Sequence, residues 1–206
     1  MTEPRAVEHD VIVIGAGGAG LSAAIAASAG GANVGLICKS LLGKAHTVMA
    51  EGGVAAALSN VDERDSWRVH FADTMRGGQY LNHWRMAELH AKEAPDRVRE
   101  LEAWGALFDR TPDGRILQRN FGGHAYPRLA HVGDRTGLEM IRALQDYGVH
   151  RGIQAHMEVT VTELLDAVTL RTIGKFVSLF APSSASRLSL GLMPSSSRSI
   201  SALSLP

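Results

Sequence analysis

Val11-Ile12-Val13-Ile14-Gly15-Ala16-Gly17-Gly18-Ala19-Gly20 carries the strongest fold signal in the chain. Four β-branched residues in a row predict a short strand buried on both faces, as in a parallel sheet. The glycines end it. An alanine-rich segment follows in which Leu21, Ala24, Ile25 and Ser28 share one helical face, and Gly30-Gly31 stops that helix. Val34-Gly35-Leu36-Ile37 then reads as a second strand. Strand, glycine turn, helix and strand in this order make a βαβ unit with a right-handed crossover.

The turn fits the pattern G-x-G-x-x-G at Gly15, Gly17 and Gly20, with Gly18 beside them, and it has a strand before it and a helix after it. The first glycine makes the tight turn. The second lets backbone approach a pyrophosphate, and the third lets helix and strand pack closely. Phosphates then lie on the helix N-terminus. The expectation is an α/β fold with a Rossmann-like dinucleotide-binding unit. The acid that would bind a ribose hydroxyl about 20 residues on is missing, since the second strand ends Cys38-Lys39-Ser40. This weakens a nicotinamide reading. Lys39 faces either the adenosine–phosphate end of a cofactor or solvent.

Composition narrows the function classes. Twenty-one basic residues balance 21 acidic ones, so no net field points to nucleic acid or an anionic membrane. Cys38 is the only cysteine, which excludes an internal disulfide and any multi-cysteine zinc or iron–sulfur site, and fits a reducing cytoplasm. Met1 to Asp10 is polar, without a signal-peptide core, and no apolar run reaches membrane-spanning length.

Further along, residues 40–60 are small and glycine-punctuated, as for backbone packed on a flat group. Residues 63–75 predict an amphipathic helix with Trp67, Phe71, Thr74 and Met75 inward, ended by Gly77-Gly78. Asn82 is placed to cap a helix to about Glu93, and Pro95 to open the next one, ending near Gly105. Thr111-Pro112-Asp113-Gly114 is a turn. Residues 136–147 predict a helix with Met140, Ile141, Leu144 and Tyr147 inward, capped by Thr136 or Asp134, and residues 153–161 a strand. His124 and His131 flank Tyr126-Pro127-Arg128, but no third ligand stands at a recognisable spacing, so no metal site is assigned.

His46-Thr47-Val48-Met49-Ala50-Glu51-Gly52-Gly53 resembles the flavin-attachment segment of succinate dehydrogenase and fumarate reductase flavoproteins. Four more elements of that pattern follow in order: His70-Phe71-Ala72-Asp73-Thr74 with Gly77-Gly78, Trp104-Gly105, Arg119-Asn120-Phe121-Gly122-Gly123, and Asp134-Arg135-Thr136-Gly137. The wording of Gly43-Lys44-Ala45-His46 and of residues 86–97 is most similar to the actinobacterial branch. The resemblance runs from about residue 9 to Leu165, roughly the first quarter of such a flavoprotein.

The resemblance implies an FAD-binding domain with contacts from Gly15, Gly17, Gly18, Gly20, Lys39, His46, Thr47, Gly52 and Gly53. It also implies a covalent bond from a ring nitrogen of His46 to the flavin 8α-methyl. A neutral imidazole is the nucleophile that step needs. Related L-aspartate oxidases share the glycine motif but lack this histidine, leaving a loop histidine beside a non-covalent flavin as the alternative. Gly52 and Phe121 match positions that contact a C4-dicarboxylate, succinate or fumarate. Many members have Gln where this chain has Glu51, and neither residue settles the direction of the reaction.

In the family the remaining flavin domain, a capping domain and a helical region follow. The capping domain supplies the proton-shuttling arginine and the dicarboxylate clamp, so no catalytic residue is assigned here. The implied partners are membrane-anchor subunits and an iron–sulfur subunit, which would hold a cytoplasmic protein peripherally at the membrane. After Asp166 no acidic residue remains and eleven serines fall between Ser178 and Ser204. The expected organisation is therefore a partial flavin domain over 1–165, lacking the capping domain, and a low-complexity serine-rich tail over 166–206, disordered or out of frame. Such an abrupt change suggests truncation or a shifted reading frame. Three functions stand against one another: the hydride-transferring flavoprotein, a truncated non-catalytic FAD-binding or subunit-binding fragment, and a different flavin or nicotinamide enzyme.

Overall fold

The structure, a computed structural model, describes residues 7–161 in full and the backbone alone of residues 5–6, 179–180, 187–192 and 200–205. The chain divides into two compact units, residues 1–45 with 144–206, and residues 46–143.

In the first unit β2 (Val11–Ile14), β3 (Val34–Ile37) and β7 (Gln154–His156) form a parallel sheet in the order β2-β3-β7, with Val11 opposite Val34 and Ile37 opposite His156. Helix α1 (Gly18–Ala29) joins β2 to β3 and packs on both through Leu21, Ala24 and Ile25. Ser28 is only half-buried. Gly31 ends the helix at φ +89°, where the Ala32 N–H reaches back to the Ala27 carbonyl. The expected fully buried strand is β3, not β2: all four residues of β3 are buried, whereas β2 is half-buried and Ile14 is 51% exposed. The cause is position, since β3 is paired on both sides and β2 is an edge of the described sheet. The strand expected over 153–161 is shorter, covering Gln154–His156.

The serine-rich segment contributes β8 (Leu179–Phe180), β9 (Arg187–Leu192) and β10 (Ile200–Leu205) to an antiparallel sheet with β1 (Arg5–His9), in the order β1-β10-β9-β8. Leucine alternates with serine or glycine in Leu188-Ser189-Leu190-Gly191-Leu192, which is the two-residue period of a strand. The rest of that segment lies outside the described residues.

The second unit contains an antiparallel sheet of β4 (Val54–Ala55), β6 (Leu129–Ala130) and β5 (Gln118–Arg119), with β6 central. Two helices, α2 (Trp67–Gly77) and α3 (Trp84–Ala103), pack against each other. A further helix, α4 (Thr136–His150), begins in this unit and buries Ile141, Ala143 and Leu144. Met140 and Tyr147, also expected inward, are half-buried.

Two expectations for the helices are corrected. The residues of α2 most deeply buried are His70 and Asp73, while Trp67, Phe71, Thr74 and Met75 are half-buried. A polar cluster around Arg128 draws that face inward. Residues 84–103 form one helix rather than two, with Pro95 in its interior. Its cap is His83, whose Nδ1 accepts the Met86 N–H at 3.4 Å, and Asn82 instead donates to the Thr74 carbonyl at 3.0 Å. Ala87, Ala91, Ala94, Val98 and Leu101 are buried at alternating spacings of four and three, a continuous apolar stripe across the proline. That stripe offsets the missing hydrogen bond to the Ala91 carbonyl.

Proline in a helix interior is less favourable than alanine by about 3 kcal/mol. Pro95→Ala is therefore expected to stabilise the protein, by less than this amount because the half-buried ring loses contact. Urea unfolding with an unchanged m-value checks it; an unchanged or lowered midpoint contradicts a continuous helix.

Candidate functional site

The glycine turn has a backbone reason at each motif position. Gly15 sits at φ +103°, a region that favours glycine, and its N–H donates to the Ile37 carbonyl at 2.8 Å. Gly17 is extended at φ −77° and caps α1, its carbonyl accepting the Leu21 N–H at 2.9 Å, and Gly18 begins the helix. A Cβ on Gly20 would stand 1.8 Å from the Gly15 carbonyl oxygen, so no other residue fits without moving the turn. The first turn of α1 holds no acidic side chain. Its N–H groups and helix dipole therefore suit an anion at the carboxyl end of the sheet. Lys39 is exposed just beyond β3, the strand beside this turn. The backbone cradle fits the pyrophosphate of a dinucleotide.

The second unit brings together three of the sequence elements. His46 is exposed at the start of a short helical turn, His46–Met49, after which Ala50 to Gly53 lead into β4. Arg119 donates from Nε to the Gly52 carbonyl at 2.9 Å and from Nη2 to the Glu51 carbonyl at 2.6 Å, and its Nη1 faces Asp134 at 3.3 Å. The Gly137 N–H donates to the Ala50 carbonyl at 2.7 Å. Thr136 Oγ1 accepts the Val132 N–H at 3.2 Å and lies 3.5 Å from the Glu51 carbonyl. Three successive carbonyls are thus held by the protein. Because each peptide is planar and trans, the N–H groups of Glu51, Gly52 and Gly53 point the opposite way.

Close packing locks this turn. A Cβ on Gly137 would stand 1.9 Å from the Thr47 carbonyl, and one on Gly53 (φ +125°) 2.8 Å from the Ala130 carbonyl. The Phe121 ring lies 3.7 Å from where a Gly52 Cβ would be, and it is 61% exposed. Gly52 and Phe121, the two candidate dicarboxylate positions, therefore adjoin each other.

Sequence reasoning missed the roles of Arg119, Asp134 and Thr136. Neither expected cap closes α4, because the carbonyl of Arg135 accepts the Glu139 N–H and the Thr136 hydroxyl is engaged elsewhere. The available signal was an arginine three residues before Gly122-Gly123, near a turn rich in glycine carbonyls.

Arg128, one residue before β6, is fully buried, 2.8 Å from Asp65 and 3.0 Å from Asp73. Asp73 also accepts the Ala125 N–H at 2.8 Å and pairs with Arg76. Burial raises the Asp65 carboxyl pKa despite Arg128. The His70 ring meets those of His90 and His124 edge to face at 5.3 and 6.0 Å. Burial, reinforced by Arg128, lowers its pKa to about 4, so it is neutral at pH 7. Among the described residues no group of three or more His, Cys, Asp or Glu could hold a metal ion.

Residues 10–181 match the FAD binding domain family. The chain is 48% identical over 164 residues to a fumarate reductase (CoM/CoB) subunit of Methanothermobacter marburgensis, covering 79% of this chain and 30% of that protein. It is 39% identical over 176 residues to the succinate dehydrogenase flavoprotein subunit of Rickettsia felis, covering 80% and 29%. The solved Mycobacterium smegmatis Sdh1 complex in its apo form superposes with a TM-score of 0.73 at 57% identity, over 88% of this chain and 30% of that one. The chain thus spans about 30% of the length of the curated relatives it matches.

Arg128→Met would leave Asp65 and Asp73 buried without their cation, and such a break costs about 3–5 kcal/mol. Chemical denaturation measures it; a loss under about 1 kcal/mol would contradict the cluster's importance. The His70 shift carries a definite sign. The unfolded ring binds a proton at about pH 6.5 and the folded one near 4, so stability is full above 6.5 and falls as the pH drops toward 4. Urea midpoints between pH 7 and 4.5 should fall, and less so in His70→Gln.

Proposed function

Since the chain belongs to the FAD binding domain family, with FAD as its cofactor, we propose that it forms the flavin-side part of a succinate dehydrogenase or fumarate reductase flavoprotein. The observation carrying this is the Arg119 clamp, which joins the Glu51-Gly52 turn, the Phe121 segment and Asp134 in one place. FAD supplies two-electron exchange with a C4-dicarboxylate and one-electron delivery onward. The Gly15–Gly20 turn and the N-terminus of α1 would hold its pyrophosphate, with Lys39 beside them. The backbone N–H groups of Glu51 to Gly53 would face flavin and a substrate carboxylate. Phe121 over Gly52 would shield the dicarboxylate from water, which strengthens every hydrogen bond to it.

His46 is exposed at the head of its turn, open to a flavin 8α-methyl, and Thr47 follows it. The names of the relatives support the substrate class, and the Sdh1 relative was solved as a complex. The corresponding partners are membrane-anchor subunits and an iron–sulfur subunit, placing the protein peripherally at the cytoplasmic membrane face. No described helix is long and apolar enough to cross a membrane. A second reading is a non-catalytic FAD-binding or subunit-binding fragment.

The chain is to be purified with added FAD and precipitated in acid. Flavin absorbance is expected to stay with the denatured polypeptide and to be lost in His46→Ala. Flavin released from both forms would remove the covalent link. A change in the bound flavin's absorbance on adding succinate or fumarate then separates the two readings, since only the first predicts a dicarboxylate beside the flavin.

A further inference from the structure

His131 follows β6 directly, and its backbone is tied to Asp109: the Asp109 N–H donates to the His131 carbonyl at 2.9 Å. The side chain is 9% exposed, with Nδ1 3.0 Å from Asp109 Oδ2, an oxygen that also accepts the Gly133 N–H at 2.9 Å. Both ring nitrogens are enclosed, and neither makes a well-aligned hydrogen bond among the described residues, Nδ1 lying close to Asp109 without pointing at it. The antiparallel register, Val54 opposite Ala130, puts Gly53 across from His131. A Cβ on Gly53 would lie 3.4 Å from the His131 Cβ. A histidine–aspartate pair thus stands directly behind the Glu51–Gly53 turn, and nothing in the proposed chemistry uses it.

We propose that His131 is a positioning residue for that turn, a neutral ring packed beside Asp109 behind Gly53, and that gain of a proton releases the turn. The Asp109 carboxylate beside Nδ1 electrostatically favours the tautomer with hydrogen there, leaving the Nε2 lone pair to take a proton. The proton added at Nε2 would be enclosed without an acceptor, and the ring's charge, offset only in part by Asp109, would act against Arg119, the cation that holds the Glu51 and Gly52 carbonyls. The charged groups acting on the ring are Asp109 from the segment after α3, Arg119 from β5 and Asp134 from the turn before α4. Glu51 and Arg135 are exposed. Burial, the largest influence, and then Arg119 lower the pKa of this ring, so the open turn binds a proton more readily than the closed one. The flavin reading enters only in what the turn would contact.

Hydrogen exchange of the full chain, read by mass spectrometry on peptides spanning residues 46–58 from pH 7.5 to 5, tests this. After correction for intrinsic exchange rates, protection is expected to fall below about pH 6.5 by up to tenfold per pH unit, the limit for one proton. In His131→Gln the fall should be smaller by this one-proton component, any remainder coming from His70 and His124. In Asp109→Asn, which removes a charge favouring protonation of the closed ring, the onset should stay at about pH 6.5 and the fall should be at least as large as in the wild type. Identical profiles in wild type and His131→Gln overturn the proposal. If His131→Gln does not fold, a smaller pH-dependent fall in Asp109→Asn than in the wild type overturns it. Repeating the series with FAD separates the two ideas. A His131-dependent pH effect without protection by FAD would count against the flavin site alone; protection by FAD without that effect would count against the proposal alone.

Discussion

A guanidinium with no solvent exposure must be neutralised where it lies, and Arg128 is met by Asp65 and Asp73. This requirement organises the second unit. Asp65 precedes the N-cap of α2, and its own carboxylate accepts the Ser66 N–H at 3.0 Å. Asp73 lies on the inner face of α2 and also holds the Ala125 N–H. Arg128 stands one residue before β6, the central strand of the small sheet. One ion cluster thereby ties the start of a helix, its middle and a loop to the strand that backs the candidate site. His70 is buried in the same place and is kept neutral, which spares the cluster a further positive charge.

The candidate site itself is made mostly of backbone. Glycines stand where a side chain would collide with a carbonyl at 1.8–2.8 Å, at Gly20, Gly53 and Gly137. Backbone N–H groups bind anions and carbonyl-bearing rings without side-chain entropy, but they must be aimed. Arg119 supplies that aim in the second unit by drawing two adjacent carbonyls inward. Its planar fork matches the task, and a lysine at this place would offer one rotating ammonium instead.

Legibility followed locality. The turn at Gly15 to Gly20 was readable because its strand, glycines and helix are contiguous and each obeys a rule of local conformation. Gly52 and Phe121 were singled out through resemblance, and the fold sets them side by side. Pro95 misled, because a proline rule for isolated helices does not count the apolar stripe that holds α3 together. The inward face of α2 was misread for a similar reason. Periodicity of apolar residues cannot show a buried polar face whose partner, Arg128, lies 55 positions beyond Asp73. Serine content concealed the leucine alternation of β9.

By itself the sequence determined the βαβ unit, the need for glycine at its turn, the dinucleotide class of ligand and the family to which the chain belongs. These depend on steric limits and periodicities acting over a few neighbouring residues. Only the tertiary structure decided which strand is central, which face of α2 is buried, and that Arg119, Asp134 and Thr136 converge on the Glu51–Gly53 turn. Those outcomes depend on pairing between residues far apart in the chain. A buried charge or a carbonyl takes whichever partner the fold delivers, and spacing along the sequence does not encode that distance.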